Sequence, residues 1–344
     1  MAESEARKRK VVLSGMRPTG PIHLGNYFGA VKNWVGLQDA YECFYCVVDW
    51  HALTTDYADT SMVAENSLNV LADWIAAGLD PERSTLFLQS WVPAHAELHL
   101  MLSMITPIGW LERVPTYKEQ IRQLSNKDLS THGFLGYPVL QTADILMYRA
   151  DFVPVGEDQA SHVELSREIT RRFNSYYGNV FPEPQALFTP TPKVPGLDGQ
   201  KMSKSYGNTI NIADSPDVIR EKCMGMFTDP TRLRRVDPGH PDSCNLYQFH
   251  RLVSPPEVQA RVDRECRAAE IGCVDDKRLI AEQLIEFLAP MRERRERLLH
   301  DPAALLEILR EGSRKASERA AETLARVRSA MKLDYEALLA EVIP

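Results

Sequence analysis

The chain has 344 residues, 44% of them hydrophobic and 25% charged, which is typical of a globular protein long enough for two domains. Its 40 lysines and arginines and its 47 aspartates and glutamates give a formal net charge of −7. Taken alone, that charge disfavours a protein that coats nucleic acid. No segment approaches the roughly 18 uninterrupted apolar residues of a membrane helix, and residues 1–10 are mostly polar, so we expect neither export nor membrane anchoring.

Six cysteines are scattered along the sequence, which is typical of a reducing compartment, and we expect a cytoplasmic protein without disulfides. Cys43 and Cys46 have the spacing of a metal or redox pair, but they lie in an apolar run typical of a buried strand. Residues three apart on a strand face opposite sides of it. We therefore predict two separate core cysteines.

The first part of the chain alternates between predicted strands and helices. A strand over residues 11–13 is followed by a turn of small residues and a helix over 27–40. Further strands are predicted over 43–48 and 85–88, with an amphipathic helix over 60–78 between them. This alternation indicates a parallel sheet, in which ligands bind beyond the carboxyl ends of the strands. The inner side of the amphipathic helix is predicted to carry Met62, Leu68, Leu71, Trp74 and Ile75.

The rest of the chain is mostly helical in pattern. Residues 94–172 are predicted to be helical and residues 176–200 irregular, and beyond residue 215 the apolar spacing is again helical. We therefore predict an α/β fold, with a Rossmann-like parallel-sheet domain and its helical insertion over residues 1–210, followed by an all-helical domain over 211–344. Connections in the middle region are predicted at Pro107, Pro115, Pro138 and Pro154.

A candidate phosphate-binding turn is formed by His23-Leu-Gly-Asn26. It occupies a predicted loop-to-helix junction, where backbone N–H groups and the helix dipole favour an anion. Gly20 and Gly25 allow close approach of the backbone, and His23 and Asn26 offer donors to phosphate oxygens. Alone, a four-residue pattern of this kind also occurs in ordinary surface turns.

A second candidate is the loop Lys201-Met-Ser-Lys-Ser205, for which the simple alternative is a solvated basic loop. Lysine ammonium groups on flexible stems can follow phosphates from the ground state to the transition state. One pattern lies near the start of the parallel-sheet domain and the other near its end. Together they predict positive charge on two sides of one nucleoside triphosphate.

The chain resembles the class I aminoacyl-tRNA synthetases, and within them the tryptophanyl branch. The resemblance is carried, in family order, by Gly15-Met-Arg-Pro-Thr-Gly20, by HLGN in place of HIGH, by Tyr137-Pro-Val-Leu-Gln-Thr-Ala-Asp-Ile145, by Val155-Gly-Glu-Asp-Gln159 and by KMSKS. It implies a tryptophan–tRNA ligase that forms tryptophanyl-adenylate from L-tryptophan and ATP with Mg²⁺, releases pyrophosphate, and transfers tryptophan to tRNA(Trp). It also implies a homodimer in which the helical domain, residues 211–344, binds the anticodon.

Matching the family motifs position by position implies roles for individual residues in ATP binding and catalysis, with Lys204 making the largest contribution in the transition state. The catalytic residues so implied are His23, Asn26, Lys201, Lys204 and Lys118. The ATP-binding residues so implied are Arg17, Pro18, Thr19, Gly25, Asn26, Gly156, Glu157, Asp158, Val194, Lys201, Met202, Ser203, Lys204 and Ser205.

The same matching implies a tryptophan pocket in which Asp144 accepts the indole N–H. A buried acceptor that phenylalanine leaves unpaired penalises the wrong amino acid. Tyr137 and Gln159 match positions that hold the ammonium group of the substrate. The tryptophan-binding residues so implied are Leu13, Gly15, His51, Tyr137, Gln141, Asp144, Ile145, Val153, Val155 and Gln159.

Three cysteines of the helical region resemble the iron–sulfur pattern C-x22-C-x6-C-x2-C of some bacterial relatives. The first interval, from Cys244 to Cys266, is 21 residues here, and the position after Cys273 that would supply the fourth ligand is Asp276. Cysteine thiolates normally supply all four ligands of such a cluster. We therefore expect no cluster and no protein-bound metal.

Two alternatives stay open from the sequence: a tyrosyl enzyme of the same subclass, and a synthetase-like scaffold that binds nucleotide without catalysis. Retention of His23, Lys201, Lys204 and Asp144 disfavours the scaffold. Residues 277–332 hold 13 lysines and arginines against 9 acidic residues, a local balance of +4 that leaves −11 for the remainder. We expect this local charge to favour salt-sensitive tRNA binding.

Overall fold

The computed structural model describes residues 9–123, 127–156, 159–188, 194–335 and 339–340. A parallel sheet of five strands lies at its centre, in the order β3-β2-β1-β4-β5. The predicted α/β fold is confirmed, and three strands lie where they were predicted. The strands are β1 (Val11–Met16), β2 (Glu42–Val47), β3 (Ser84–Leu88), β4 (Phe152–Val155) and β5 (Gln185–Phe188).

Helices cover both faces of the sheet and form the carboxyl-terminal region, as predicted. Within the described residues, no helix combines the length and apolar character needed to cross a membrane. Helix α1 (Leu24–Asn26) continues through a π-helical turn (Tyr27–Val31) into α2 (Lys32–Leu37). The next helices are α3 (Asp49–Asp56), α4 (Val63–Ala77), α5 (Ala94–Ser103), α6 (Ile108–Leu111), α7 (Pro115–Gln123), α8 (His132–Met147) and α9 (Ala160–Tyr177). The last helices are α10 (Pro216–Met224), α11 (Asn245–Val253), α12 (Pro256–Arg267), α13 (Cys273–Leu299) and α14 (Pro302–Ala330).

Side chains of the strands alternate between two hydrophobic layers, one on each face of the sheet. In β2, Cys43 and Tyr45 pack into the layer that includes α4 and α13, whereas Phe44 and Cys46 pack into the layer that includes α5 and α8. All six cysteines have free thiols. The prediction that Cys43 and Cys46 are separate core residues is confirmed.

The strand order changes direction between β1 and β4, which makes this pair of strands the switch point of the sheet. The ladder between β1 and β4 contains the pair of Val12 and Phe152, whereas β1 and β2 pair along their whole length. The two strands therefore separate toward their carboxyl ends, where open parallel sheets bind their ligands.

Helix α14 crosses the outer edge of the sheet at β3. A Cβ atom at Gly312 would come within 1.8 Å of the carbonyl oxygen of Leu86, so only glycine allows this close approach. The hydroxyl of Ser313 accepts a hydrogen bond from the N–H of Leu88 at 3.2 Å. The helix thus covers backbone groups that an exposed edge strand would leave unpaired.

The proline predictions are half right. Pro107 and Pro115 begin α6 and α7, as expected of connections. Pro138 lies inside α8 and Pro154 inside β4, so neither marks a break. A proline in a helix removes one backbone hydrogen bond, and the tertiary packing of the buried helix α8 outweighs that loss.

Two further expectations were wrong. Residues 176–200, predicted to be irregular, contain β5, a strand of four residues that is too short to give a clear alternation of apolar and polar residues. Met62, predicted to face the core, precedes α4 and its surface is 48% exposed. The helix starts after it, so the helical period does not apply to this residue.

Candidate active site

A cleft of about 460 Å³ opens at the carboxyl ends of β1 and β4, where the two strands separate. Strands β1 and β4 form two of its walls and α8 passes alongside. Of the residues predicted to bind ATP, Arg17, Asn26 and Gly156 line it. All ten residues predicted to bind tryptophan line this cleft, namely Leu13, Gly15, His51, Tyr137, Gln141, Asp144, Ile145, Val153, Val155 and Gln159.

The HLGN turn begins α1, and His23 caps this helix. Its Nδ1 accepts a hydrogen bond from the N–H of Asn26 at 3.3 Å, while Asn26 Oδ1 accepts one from the N–H of His23 at 3.3 Å. Burial and the charge of Lys204 lower the pKa of His23 to about 4. At neutral pH the ring is therefore uncharged, with Nδ1 as the acceptor and Nε2 carrying the proton. A Cβ atom at Gly25 would lie 2.9 Å from this ring, which explains the glycine.

Lys204 of the KMSKS loop contacts the turn that precedes HLGN. Its ammonium group donates a hydrogen bond to the carbonyl of Gly20 at 2.8 Å. Gly20 has a φ of +112°, a conformation that favours glycine. Burial lowers the pKa of Lys204 to about 8, and nearby Asp73 opposes that shift. The two motifs are thus brought together by a lysine that is still mostly protonated at neutral pH.

A buried asparagine, Asn208, holds the base of the KMSKS loop. Its Oδ1 accepts a hydrogen bond from the N–H of Ser203 at 2.8 Å, and its Nδ2 donates to the carbonyl of Lys201 at 3.2 Å and to the carboxylate of Asp198 at 2.7 Å. Gly196 leaves the necessary space, since a Cβ atom there would lie 2.1 Å from Asn208 Nδ2. Sequence reasoning missed Asn208, and only its position three residues after the motif could have suggested it.

Asp144 is buried in the wall of the cleft among polar partners. Its Oδ1 accepts hydrogen bonds from His95 Nδ1 at 2.6 Å and from Gln89 Nε2 at 2.8 Å, and its Oδ2 accepts from His51 Nε2 at 3.0 Å and from the same Gln89 nitrogen at 2.9 Å. Burial alone raises the pKa of Asp144, but His95 and His51 outweigh it and hold that pKa well below its usual range. The carboxylate is therefore ionised. Tyr148 lies 2.7 Å from His95 Nε2 and donates to it, since His95 Nδ1 carries the proton.

His95 and Gln89 were not predicted as site residues. Gln89 follows β3, so its position at the rim of the sheet was accessible from the strand pattern. His95 lies in the first turn of α5, and its approach to Asp144 depends on the packing of α5 against α8, which no local pattern indicates.

A second polar cluster surrounds Tyr137. The phenol oxygen lies 2.9 Å from His162 Nε2 and 3.0 Å from the hydroxyl of Thr116, and the side-chain Oε1 of Gln159 accepts from His162 Nδ1 at 2.8 Å. Burial raises the pKa of Tyr137, so the phenol stays protonated. His162 lies 3% exposed and joins the two residues predicted to hold an ammonium group. His162 was not predicted, although its position three residues after Gln159 places both side chains on the same side of a helix.

Other predicted residues lie outside the lining of this cleft. Met202 and Val194 are buried in the core, so Met202 is the residue by which the KMSKS loop packs into the hydrophobic core. Lys118 is exposed on α7 and is not among the residues that line the cleft, although Gln120 of the same helix is. Glu157 and Asp158 lie outside the described residues, as does the side chain of Ser205. The remaining predicted residues belong to three motif segments. Pro18 and Thr19 lie in the segment Gly15–Gly20, His23 and Gly25 in HLGN, and Lys201, Ser203 and Lys204 in KMSKS.

The cysteines of the helical region do not fit a four-thiolate cluster. Arg232 Nη1 lies 3.8 Å from the sulfur of Cys266 and 3.9 Å from that of Cys273. Asp276, at the position of a fourth ligand, accepts a hydrogen bond from His250 Nε2 at 3.0 Å. Burial raises the pKa of Cys266 to about 11, which opposes thiolate ligation. In the part of the chain that is described, no group of three or more histidine, cysteine or acidic side chains is arranged to hold a metal ion.

The sequence matches the family described as tRNA synthetases class I (W and Y) over residues 5–289. The tryptophan–tRNA ligase of Thermotoga maritima is 51% identical over 326 residues, covering 94% of this chain and 99% of that protein. The tryptophan–tRNA ligase of Ralstonia nicotianae is 44% identical over 394 aligned positions, covering 94% and 98%. The tryptophanyl-tRNA synthetase of Campylobacter jejuni, whose crystal structure contains ADP and tryptophan, aligns with a TM-score of 0.87 at 34% identity over 94% of this chain and 100% of that chain. The chain therefore belongs to the family of class I tRNA synthetases for tryptophan and tyrosine.

Proposed function

We propose that the chain is a tryptophan–tRNA ligase whose reactions take place in the cleft between β1 and β4. The carboxylate of L-tryptophan attacks the α-phosphorus of ATP, which forms tryptophanyl-adenylate and releases pyrophosphate. Tryptophan then passes to the terminal adenosine of tRNA(Trp). One observation carries the assignment of the site: ten residues matched to tryptophan binding, dispersed from β1 to the residues after β4, line a single cleft.

Recognition of the indole ring depends on Asp144. The indole N–H is a donor without acceptor capacity, so an ionised carboxylate is a suitable partner. Hydrogen bonds from His95, Gln89 and His51 hold this carboxylate in place, and Gln89 is shared between its two oxygens. In this proposal the capacity for one further donor, on the side of the cleft, is taken up by the indole N–H. Phenylalanine leaves that capacity unused, which costs binding free energy. The oxygens of Tyr137 and Gln159 accept hydrogen bonds from the ammonium group of tryptophan.

Activation of ATP depends on positioning and charge, because adenylate formation needs no covalent nucleophile. The His23 Nε2–H and the side chain of Asn26 lie on one side of the polyphosphate, and Lys201 and Lys204 close over the other. Lys204 stabilises the charge that develops on the departing pyrophosphate. Mg²⁺ enters as part of the ATP complex, with few protein ligands.

The helical part, residues 211–344, binds the anticodon arm of the tRNA in this proposal, and residues 1–210 form the catalytic part. This division is supported by exposed basic side chains on the last two helices, such as Arg297 on α13 and Arg326 on α14. A filter-binding assay with tRNA(Trp) tests it. Arg297→Ala combined with Arg326→Ala weakens binding if these helices meet the tRNA, and unchanged affinity would contradict the division.

The active form is a cytoplasmic homodimer in this proposal. Exposed apolar side chains at the surface of α5 and α6 support a subunit interface, since Leu100 is 56%, Met104 71% and Ile108 62% exposed. The six free thiols support a reducing compartment. Light scattering on a size-exclusion column gives twice the chain mass for the wild type, and Met104→Glu shifts it toward the monomer.

Pyrophosphate exchange with the purified chain tests the activity. Exchange that depends on tryptophan supports the proposal, and exchange that depends on tyrosine would identify the tyrosyl enzyme instead. No exchange with either amino acid would favour the nucleotide-binding scaffold. Iron analysis with a visible spectrum, carried out anaerobically on the same preparation, tests the prediction that no iron–sulfur cluster is present, and stoichiometric iron would contradict it.

A further inference from the structure

A carboxylate with no part in the proposed chemistry is buried beneath the HLGN turn. Asp73 of α4 is fully buried, and its Oδ2 accepts a hydrogen bond from the backbone N–H of Ile22 at 2.9 Å. Its Oδ1 accepts one from the guanidinium of Arg295, which belongs to α13. Ile22 immediately precedes His23, so Asp73 holds the backbone at the entry to the phosphate-binding turn.

The turn is tied on its other side to the segment that follows the KMSKS loop. The carbonyl of Ile22 accepts a hydrogen bond from the N–H of Ile212 at 2.9 Å, and the N–H of Leu24 donates to the carbonyl of Ile210 at 2.9 Å. These two bonds fix the turn relative to the loop. The bond to Asp73 ties the same turn to α4.

Arg295 completes this arrangement from the helical region. Its side chain is only 12% exposed, and its second nitrogen donates to the side-chain oxygen of Asn69 at 2.6 Å, one helical turn before Asp73. Burial raises the pKa of Asp73, and the charge of Arg295 opposes that shift. A buried carboxylate that loses its cationic partner is strongly destabilised in its ionised form. Arg295 is therefore needed to keep Asp73 charged and in position.

We propose that Asp73 and Arg295 are positioning residues for ATP, through which helix α13 of the helical region sets the geometry of the HLGN turn. This inference rests on the proposed function, since it takes ATP to bind at that turn. The pair does not touch the reacting atoms. It acts through the backbone of Ile22 on His23 and Asn26, and the tryptophan side of the cleft is outside its reach.

The test is pyrophosphate exchange with the full chain carrying Arg295→Gln. We expect the KM for ATP to rise about tenfold, because a displacement of the turn by a fraction of an ångström weakens phosphate contacts. The KM for tryptophan stays within about twofold of the wild-type value. A purely structural role would lower the midpoint of thermal unfolding and the fraction of active enzyme but would not raise one KM selectively.

Arg294→Gln is the matched control. Arg294 is the neighbouring residue on α13 and donates to the carbonyl of Ala76 at 3.1 Å, so it joins the same two helices without contact to Asp73. We expect both KM values to be unchanged in this variant. Asp73→Asn keeps an acceptor for the Ile22 N–H and removes the buried charge, so combining it with Arg295→Gln should restore part of the ATP affinity.

The outcomes separate this inference from the proposed function. Absence of tryptophan-dependent exchange in the wild type contradicts the function itself. The other outcome is that the wild type shows exchange and that, in Arg295→Gln, the KM values for ATP and tryptophan either both stay unchanged or rise by the same factor. This outcome overturns only the positioning role. If Arg295→Gln does not fold, Arg295→Lys carries the test, because it keeps the charge but loses the two-nitrogen geometry. In that variant a selective rise in the KM for ATP supports the proposal, and an unchanged KM overturns it.

Discussion

The ammonium group of Lys204 donates a hydrogen bond to the backbone carbonyl of Gly20, and this contact joins the KMSKS loop to the turn that precedes HLGN across 184 positions of sequence. A neutral carbonyl is a weak partner for a cation compared with a phosphate oxygen. Bound ATP can therefore displace Gly20 as the partner of Lys204. The contact thus holds the loop close to the turn through a neutral acceptor.

The low pKa of Lys204 predicts a pH dependence of ATP use. Below pH 8 the amine is protonated and can stabilise pyrophosphate, and above it the charge is lost, so kcat/KM for ATP should fall as pH rises through about 8. Lys204→Arg retains a charge at all these pH values and should move the fall to higher pH. Steady-state exchange rates across this range provide the measurement. A wild-type profile that is flat from about pH 7 to pH 9 would exclude the role.

Asp144→Asn should reduce discrimination between tryptophan and phenylalanine. The amide keeps one acceptor but turns an N–H₂ group toward the donors that now hold the carboxylate, so the acceptor for the indole N–H is displaced. We expect the ratio of kcat/KM values for the two amino acids to fall by about 10- to 100-fold. Thr142→Ser, on the same helix but not among the residues that line the cleft, is the control, with a ratio close to that of the wild type. Equal ratios in both variants would remove Asp144 from the recognition of indole.

His162→Phe should weaken binding of the ammonium group of tryptophan. His162 orients Tyr137 and Gln159 through hydrogen bonds from opposite sides of its ring, and phenylalanine removes both. The KM for tryptophan should rise about tenfold, whereas the inhibition constant of indole-3-propionate, which lacks the ammonium group, should change little. Ser166→Ala, one helical turn later, should alter neither constant. A parallel loss of affinity for both ligands would indicate a general disruption of the pocket.

Two glycine substitutions should have opposite effects on stability. Gly312→Ala places a methyl group against the backbone of Leu86 and should lower the free energy of unfolding by about 2–4 kcal/mol. At Gly36, on α2, no described atom lies within 4 Å of an added Cβ, and Gly36→Ala should raise that free energy by about 0.5–1 kcal/mol. Urea denaturation followed by circular dichroism measures both. A lower free energy of unfolding in Gly36→Ala would show that the lower backbone entropy of alanine in the unfolded chain does not decide the effect at this position.

The parts of the fold that the sequence predicted share strong local signals. Strand β2 is a continuous apolar run that ends beside charged and turn residues, and it was located to within one residue at each end. Strand β4 has only four residues and contains Pro154, so its local pattern favours a connection. It becomes a strand because β5 and the start of β1 supply partners on both sides, and that is a tertiary effect.

The same distinction applies to the site. Most cleft residues that belong to family motifs were named from the sequence, since motif position carries that information, but Met16 was not. His95, His162 and Asn208 were missed because their contribution is to orient Asp144, Tyr137 and the KMSKS loop. Such supporting hydrogen bonds depend on which helices and loops pack together, so spacing along the chain gives at most a hint, as it does for His162 and Asn208.

The local positive charge of residues 277–332 also has a different meaning in the folded protein. Arg295 pairs with Asp73, Arg294 binds a backbone carbonyl of α4, and Arg328 pairs with Glu97 of α5. These cations join helices to one another. The local balance of +4 therefore overstates the charge that this region offers to tRNA, and a modest dependence of tRNA affinity on salt concentration is expected.

The covering of β3 by α14 also bears on how the chain is made. Ser313, which satisfies the N–H of Leu88, is synthesised 225 residues after its partner. Until then the edge strand β3 of the nascent chain is not covered by α14, and an uncovered edge strand can pair with other chains. The residues of α14 that cover β3 are made only in about the last tenth of translation, so we expect the risk of aggregation through this edge to be greatest while the chain is being synthesised.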